Sequence, residues 1–198
     1  MSITGDIYQW YNAAFYWLHN YFWIKCKGVK YGEHLSMLGK VWFHGAKNSI
    51  SIGNNVTIIS TPGINPTAGG VNTHFRTVGN GRIIIGNGVG ITRAEITSFD
   101  EITIEDDVLI GGNCKIWDTD FHSLVYSERM KATDNDVHVN SVRIEKGAFI
   151  GAGSYILKGV VIGEYSIVGA GSVVTHNIPP MEIWAGNPAR FIKKIEKT

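Results

Sequence analysis

The chain has 198 residues, 18 Lys and Arg against 17 Asp and Glu, and a formal net charge of +1. That length allows one domain with its own core, and the balanced charge, with no arginine-rich stripe, excludes the usual electrostatic footprint of a nucleic-acid binder. Its 24 glycines lack collagen spacing and so mark turns, while two cysteines, Cys26 and Cys114, are too few for a disulfide framework or a thiolate metal cluster.

Residues 1–28 differ from everything after them. Trp10, Tyr11, Phe15, Tyr16, Trp17, Tyr21, Phe22 and Trp23 crowd a short stretch that Asp6, Gln9, Asn12, His19, Asn20 and Lys25 interrupt. The spacing predicts one amphipathic helix capped near Lys27-Gly28, too broken by polar residues to span a membrane. Its aromatic face either packs on the rest of the protein or a neighbouring subunit, or rests on a membrane with Trp and Lys at headgroup level. His19 has no acidic neighbour in sequence and receives no catalytic role. The first residues lack a basic flank followed by an apolar run, so a cytoplasmic location is expected, at the cytoplasmic membrane face if the helix touches lipid.

Residues 29–178 carry a six-residue period. Ile52 and Ile58 open it weakly, and a Pro- and Gly-containing stretch at 61–77 reads as a loop leaving the array. The period resumes at Ile85 and Ile91, loses one residue of register, and returns at Ile104, Ile110 and Ile116. A second interruption runs from 117 to 141. Five unbroken units follow, with Ile144, Ile150, Ile156, Ile162 and Val168 in the first position and Ala148, Ser154, Val160, Ser166 and Ser172 in the fifth. Neither a helical period nor simple strand alternation places a branched aliphatic at every sixth residue; a parallel β-helix does. Cys114 takes the fifth position of its unit, which marks it as a small core residue rather than a nucleophile. Pro179 and Pro180 cannot donate to a ladder and are expected to end the β-helix, leaving residues 179–198 as a short helical or extended tail.

A loop that leaves a repeat stack is not needed for its core, which makes it a candidate for function. The 117–141 segment opens with WDTDFHSL, and His122 stands close to the rigid coil ending at Ile116. A histidine anchored there suits general-base work near neutral pH. Asp118 and Asp120 would orient its ring, raise its pKa or bind a hydroxylated substrate. One His near two Asp residues is also what an ordinary surface loop contains, so spacing alone leaves both readings open.

The unbroken repeats, the GAGSVVT stretch followed by IPP, the AGNPA turn and the DTDFH loop together resemble the hexapeptide-repeat acyltransferases, within them the O-acetyltransferases of galactoside, maltose and surface-polysaccharide type. The resemblance runs from about residue 50 to the C-terminus. It implies an all-β left-handed parallel β-helix, a homotrimer with active sites between subunits, and acetyl-CoA as co-substrate, with no metal. His122 matches the family's catalytic histidine on the loop leaving the coil. The implied reaction is direct transfer to a saccharide hydroxyl, with the Ala152 N–H holding the oxyanion and no covalent enzyme intermediate. Phe149 stands where the family usually has tryptophan against the pantetheine arm. Ala152 and Ala170 would offer backbone groups to the pantetheine amides, and Thr175 would lie beside the cofactor. His176 replaces the usual lysine, and Arg190 and Lys193 match basic residues that reach the nucleotide phosphates. Substrate contacts are assigned to Asp120, Thr92 and Arg93, and Arg143 is read as structural.

Three alternatives stay open. An amine acceptor also needs a base, so N-acetyl transfer to an amino sugar or its nucleotide fits the same loop. A gamma-type carbonic anhydrase shares the trimeric β-helix but needs two closely spaced histidines plus a third, a pattern His122 and His138 do not match. A non-catalytic scaffold would have no reason to carry both the histidine loop and the cofactor-side residues.

Overall fold

The computed structural model describes residues 3–61, 72–133 and 136–196, with side chains from residue 15 onward. Helix α1 (Ile3–Lys27) precedes the coils. The first coil holds β1 (Lys30–Tyr31), β2 (Ser36–Leu38) and β3 (Val41–His44), and the second β4 (Ile50–Ile52), β5 (Thr57–Ile59) and β6 (Thr73–Thr77). The third holds β7 (Arg82–Ile85), β8 (Gly90–Thr92) and β9 (Glu95–Ser98), and the fourth β10 (Glu101–Ile104), β11 (Leu109–Ile110) and β12 (Lys115–Trp117). After the short helix α2 (Tyr126–Arg129) come β13 (Val142–Ile144), β14 (Phe149–Ile150) and β15 (Tyr155–Ile156), then β16 (Val161–Ile162), β17 (Ile167–Val168) and β18 (Val173–Val174). Strands β19 (Glu182–Ala185) and β20 (Arg190–Lys194) follow.

Each coil contributes one strand to each of three parallel sheets, which form the faces of a prism. We call them A (from β1), B (from β2) and C (from β3). The register explains the six-residue period. Ile52, Ile85, Ile104, Ile144 and Ile162 stand directly above one another on sheet A. Phe43, Phe75, Ile96, Ile116, Ile156 and Val174 form the matching column on sheet C. All of these residues are buried, and each is worth about 1.5–3 kcal/mol of apolar transfer. The fifth positions Ala148, Ser154, Val160, Ser166 and Ser172 are buried at the corners, and Cys114 with them.

Three details differ from the sequence expectations. The stack begins at Lys30, one coil before the first recognised repeat: Val29, Leu35 and Val41 keep the six-residue spacing, but Tyr31, Met37 and Phe43 stand where later coils have mostly Ile or Val. The segment read as a loop at 61–77 ends in a full coil strand, since β6 pairs with β3 and β9; residues 62–71 lie outside the described set. The prolines do not close the sheet either. Strand β19 pairs parallel with β17, and β20 folds back antiparallel on β19, so the tail is a β-hairpin that extends sheet B.

Helix α1 packs on the first coil. Asn20 is buried, its side-chain N–H donates to Gly39 O at 2.9 Å, and its Oδ1 accepts the Val41 N–H at 2.9 Å. Ile24 is buried, and Trp23 and His19 pack against Trp42. The expectation that an aromatic face meets the β-helix therefore holds for this side of the helix. The side chains of Trp10 and Tyr11 lie outside the described set.

Candidate active site

The loop after β12 is a stalk with a pinned base. Its two arms join through an antiparallel bridge between Thr119 and Val139, and hydrogen bonds run from Asn140 N–H to Asp118 O (2.8 Å) and from Asp120 N–H to His138 O (3.0 Å). His122 sits just beyond this ladder, exposed to solvent. Phe121 before it has φ +61°, a left-handed conformation that costs a non-glycine residue roughly 1–2 kcal/mol. Its N–H donates to Thr119 Oγ1 at 3.1 Å, and its ring rests on Trp117 and Phe99 at centroid distances of 6.0 and 5.9 Å. On the other side, Ser123 donates to Asp136 Oδ2, and the Ser123 carbonyl accepts from Arg129. The backbone of His122 is thus fixed from both flanks although its side chain faces water.

The two carboxylates beside it divide differently from the sequence reading. Asp118 is fully buried and accepts from Ser98 Oγ (2.7 Å), Phe99 N–H (2.7 Å) and Asp100 N–H (2.9 Å). Its three hydrogen bonds commit it to the turn between β9 and β10. Asp120 lies 3.4 Å from Lys158 Nζ, but its buried Oδ2 has no aligned hydrogen-bond donor. The separation marks an ion pair, while the geometry leaves acceptor capacity, so Asp120 is the carboxylate that can take a donor.

A groove of about 310 Å³ opens on the outer face of sheet C below the stalk, lined by Glu95, Thr97, Lys115, Trp117, Phe121 and Tyr155. Trp117 and Tyr155 meet edge to face at 5.8 Å, and Lys115 pairs with Glu95 at 3.5 Å. Sequence reasoning missed this group. Its signal was present in the alternation of β9 and β12, which sends every second residue outward. Thr92 ends β8 half-buried, and Arg93 is buried at the following corner with φ +41° rather than standing in an open cleft.

The residues expected to face a cofactor lie elsewhere. Phe149 points outward from β14 and is exposed, in register with Leu109 and Ile167. Ile167 pairs with Ile183, and Ile183 with Lys193, so Lys193 lies three strands from Phe149 in one transverse row, about 14 Å away at sheet spacing. Ala152 and Ala170 occupy successive corners between sheets B and C. A Cβ on Gly111 would stand 2.6 Å from Ala152 N, and one on Gly151 would stand 2.5 Å from Ala170 N, so these positions need glycine for close stacking. Gly153 and Gly171, at φ +72° and +70°, lie on the outside of the same corners, where a Cβ on Gly153 would meet only Gly171 at 4.0 Å and one on Gly171 would meet nothing within 4 Å. The result is a bare strip edged by an apolar sheet face, which fits an extended chain such as a pantetheine arm. Thr175 and His176 follow β18, exposed and bonded to each other at 2.8 Å, and Arg190 opens β20.

These two halves do not meet within one chain. Ala152 and Ala170 lie at the edge where the chain enters sheet C, whereas the His122 stalk departs where it leaves sheet C. Among the described residues no group of three or more His, Cys, Asp and Glu could hold a metal ion. Cys114 donates to Gly151 O at 3.2 Å, and burial pushes its thiol up to about 11, so it is no nucleophile.

Residues 141–176 match the family described as bacterial transferase hexapeptide (six repeats), and residues 101–116 match the hexapeptide repeat of succinyl-transferase. Both stretches carry the hexapeptide repeat that these two models describe. The chain's coil is the left-handed parallel β-helix that the resemblance implied, against the right-handed rule for ordinary crossovers. Over 48 residues it is 58% identical to the dTDP-3-amino-3,6-dideoxy-alpha-D-galactopyranose 3-N-acetyltransferase of Aneurinibacillus thermoaerophilus, covering 24% of this chain and 25% of that protein. A galactoside acetyltransferase solved in complex with coenzyme A is 26% identical, with TM-score 0.57 over 84% of this chain and 65% of that one. AntD, an N-acyltransferase from Bacillus cereus solved with dTDP and 3-hydroxybutyryl-CoA, shares the fold at TM-score 0.68 and 22% identity, over 87% of each chain. A 59-residue stretch is also 42% identical to the mitochondrial gamma carbonic anhydrase 2 of Arabidopsis thaliana, over 29% of this chain and 21% of that protein. The chain spans less than half the length of the curated relatives it matches: 44% of a Schizosaccharomyces pombe protein whose name proposes an acetyltransferase, and 25% of the Aneurinibacillus enzyme.

Proposed function

We propose that this protein transfers an acetyl group from acetyl-CoA to a hydroxyl of a saccharide, with His122 as general base and without a metal. The observation that carries the reading is the stalk, which holds an exposed histidine in a fixed place beside an aromatic groove and a carboxylate with open acceptor capacity. Acetyl-CoA supplies an activated thioester, for which the bare corner beside Phe149, Ala152 and Ala170 is the matching surface. His122 accepts the proton of the acceptor hydroxyl as that oxygen attacks the thioester carbonyl. The proton then passes to the departing thiolate, so the histidine ends neutral, as it began. The Ala152 N–H faces the carbonyl oxygen as charge develops there. Asp120 and the Trp117–Tyr155 groove receive the sugar. Thr175 and His176 flank the cofactor, while Arg190 and Lys193 answer the nucleotide phosphates.

Because the stalk and the corner lie on opposite edges of sheet C, the complete site joins the stalk of one subunit to the corner of another. A homotrimer closes such contacts symmetrically. We propose the cytoplasm, where acetyl-CoA is at hand, as the site of the reaction.

The 48-residue identity to a sugar N-acetyltransferase favours a second reading, in which the acceptor is the amine of a nucleotide-linked sugar. One experiment separates the two. Acetyl-CoA is offered with a panel of oligosaccharides, sugars and amino-sugar nucleotides, free thiol is followed, and products are read by mass spectrometry. An O-acetyl ester supports the first reading and an amide the second. Thiol release that survives His122→Ala sinks both.

A further inference from the structure

Over its described side chains helix α1 carries apolar residues on two sides, yet only one side is used. At about 100° per residue, His19, Asn20, Trp23 and Ile24 fall on the arc that meets the first coil, where Asn20 and Ile24 are buried. The opposite arc carries Phe15, Trp17, Leu18, Tyr21 and Phe22, each 47–64% exposed. Together they present on the order of 500 Å² of apolar surface, at the upper end of what a monomeric soluble protein leaves open. The patch continues into a groove of about 300 Å³ between the helix and the first coil, bordered by Tyr31, Leu35 and Met37. A contiguous exposed apolar patch of this size marks an interaction face. No helix among the described residues is long and apolar enough to cross a membrane.

We propose that this arc docks the protein on an anionic lipid surface, with the helix lying in the headgroup plane. Charge selects the occupant. Residues 15–47 hold Lys25, Lys27, Lys30, Lys40 and Lys47 against Glu33, while the rest of the chain has 13 basic and 16 acidic residues. The helix end of the molecule is therefore positive although the chain is nearly neutral. Two of these lysines border the patch itself, with Lys40 Nζ 4.7 Å from the Phe15 ring centre and Lys25 Nζ 5.5 Å from that of Tyr21. Ammonium groups over aromatic rings at the rim of an apolar face suit lipid phosphates above acyl chains. A second copy docked through the same face would set lysines against lysines, which is unfavourable. Trp17 and Tyr21, stacked at 5.4 Å, are the residue types that settle at a membrane interface.

The proposal does not depend on acyl transfer, and its test uses no substrate. The full-length protein is sedimented with vesicles of phosphatidylcholine alone and with phosphatidylglycerol added. Pelleting with the anionic vesicles is expected, weakened by salt and reduced about tenfold or more by Trp17→Ser with Phe22→Ser. Lys25→Glu with Lys40→Glu leaves the apolar patch in place and should still remove the preference for phosphatidylglycerol. Absence of pelleting, or pelleting unchanged in both double variants, overturns the proposal. So does a loss of sedimentation mass in the aromatic variant without vesicle binding by the parent, which would make the face an interface between copies.

Discussion

Asp118 and Phe99 are joined across the turn between the third and fourth coils: the Phe99 N–H donates to Asp118 Oδ1 at 2.7 Å, while the other carboxylate oxygen takes Ser98 Oγ and Asp100 N–H. This carboxylate stands four residues before His122 and organises the ground from which the stalk rises. Asp118→Ala should cost about 3–5 kcal/mol, because three donors lose a buried partner. Asp118→Asn, which keeps one acceptor oxygen, should cost less. Urea unfolding measures both, and a change below about 1 kcal/mol for the alanine variant would contradict this structural role.

His122→Ala should leave the urea midpoint unchanged, since the side chain is exposed, and should lower kcat by about 10²–10⁴ if the histidine is the base. Stopped thiol detection with acetyl-CoA and an accepted sugar provides the comparison. Equal losses in stability and activity would point instead to a scaffold role.

Filling the bare corner separates the cofactor wall from the base. Ala170 is exposed, so Ala170→Trp should fold normally, yet it should raise the KM for acetyl-CoA about tenfold or more by occupying the strip beside Gly171. A KM change confined to the sugar would move the cofactor to another face.

Stability should fall in mild acid. Burial lowers the pKa of His19, His44 and His74, and positive neighbours add to it: Lys40 at His19, and Arg76 at both His44 and His74, where Glu95 partly opposes the shift at His74. The unfolded chain takes up protons below its ordinary value of about 6.5, while the folded chain resists them. The three neutral rings therefore support the fold fully above about pH 6.5, and that support is lost as the pH falls from there through the lowered folded values. Tm measured across this range should drop, and His44→Asn should flatten the profile. A Tm independent of pH there would refute the assignment.

In native protein Cys26, exposed on α1, should react with iodoacetamide while Cys114 does not. The Cys114 thiol, raised to about 11 and bonded to Gly151 O, should label only after unfolding. Peptide mass spectrometry reads both sites.

The sequence by itself determined the coil, because stacking identical six-residue units leaves a direct trace: Ile144, Ile150 and Ile156 recur where the chain must turn inward, and Ala148 and Ser154 where it must turn a corner. It also marked His122, since an interruption in so regular a pattern is conspicuous. The first coil was harder to read, as Tyr31, Met37 and Phe43 replace the branched aliphatics that mark the later repeats. What only the tertiary structure decided is the use of side chains whose partners are distant in sequence. Asp118 looked like a partner for His122 until folding brought Ser98, Phe99 and Asp100 to it. Trp117 and Tyr155 became neighbours because β12 lies beside β15, and the prolines at 179 and 180 were bridged by a strand that finds its partner in β17. A local period records the forces between adjacent turns of the chain, whereas the Asp118 anchor and the Trp117–Tyr155 groove depend on contacts across 18 or more residues, which no local pattern encodes.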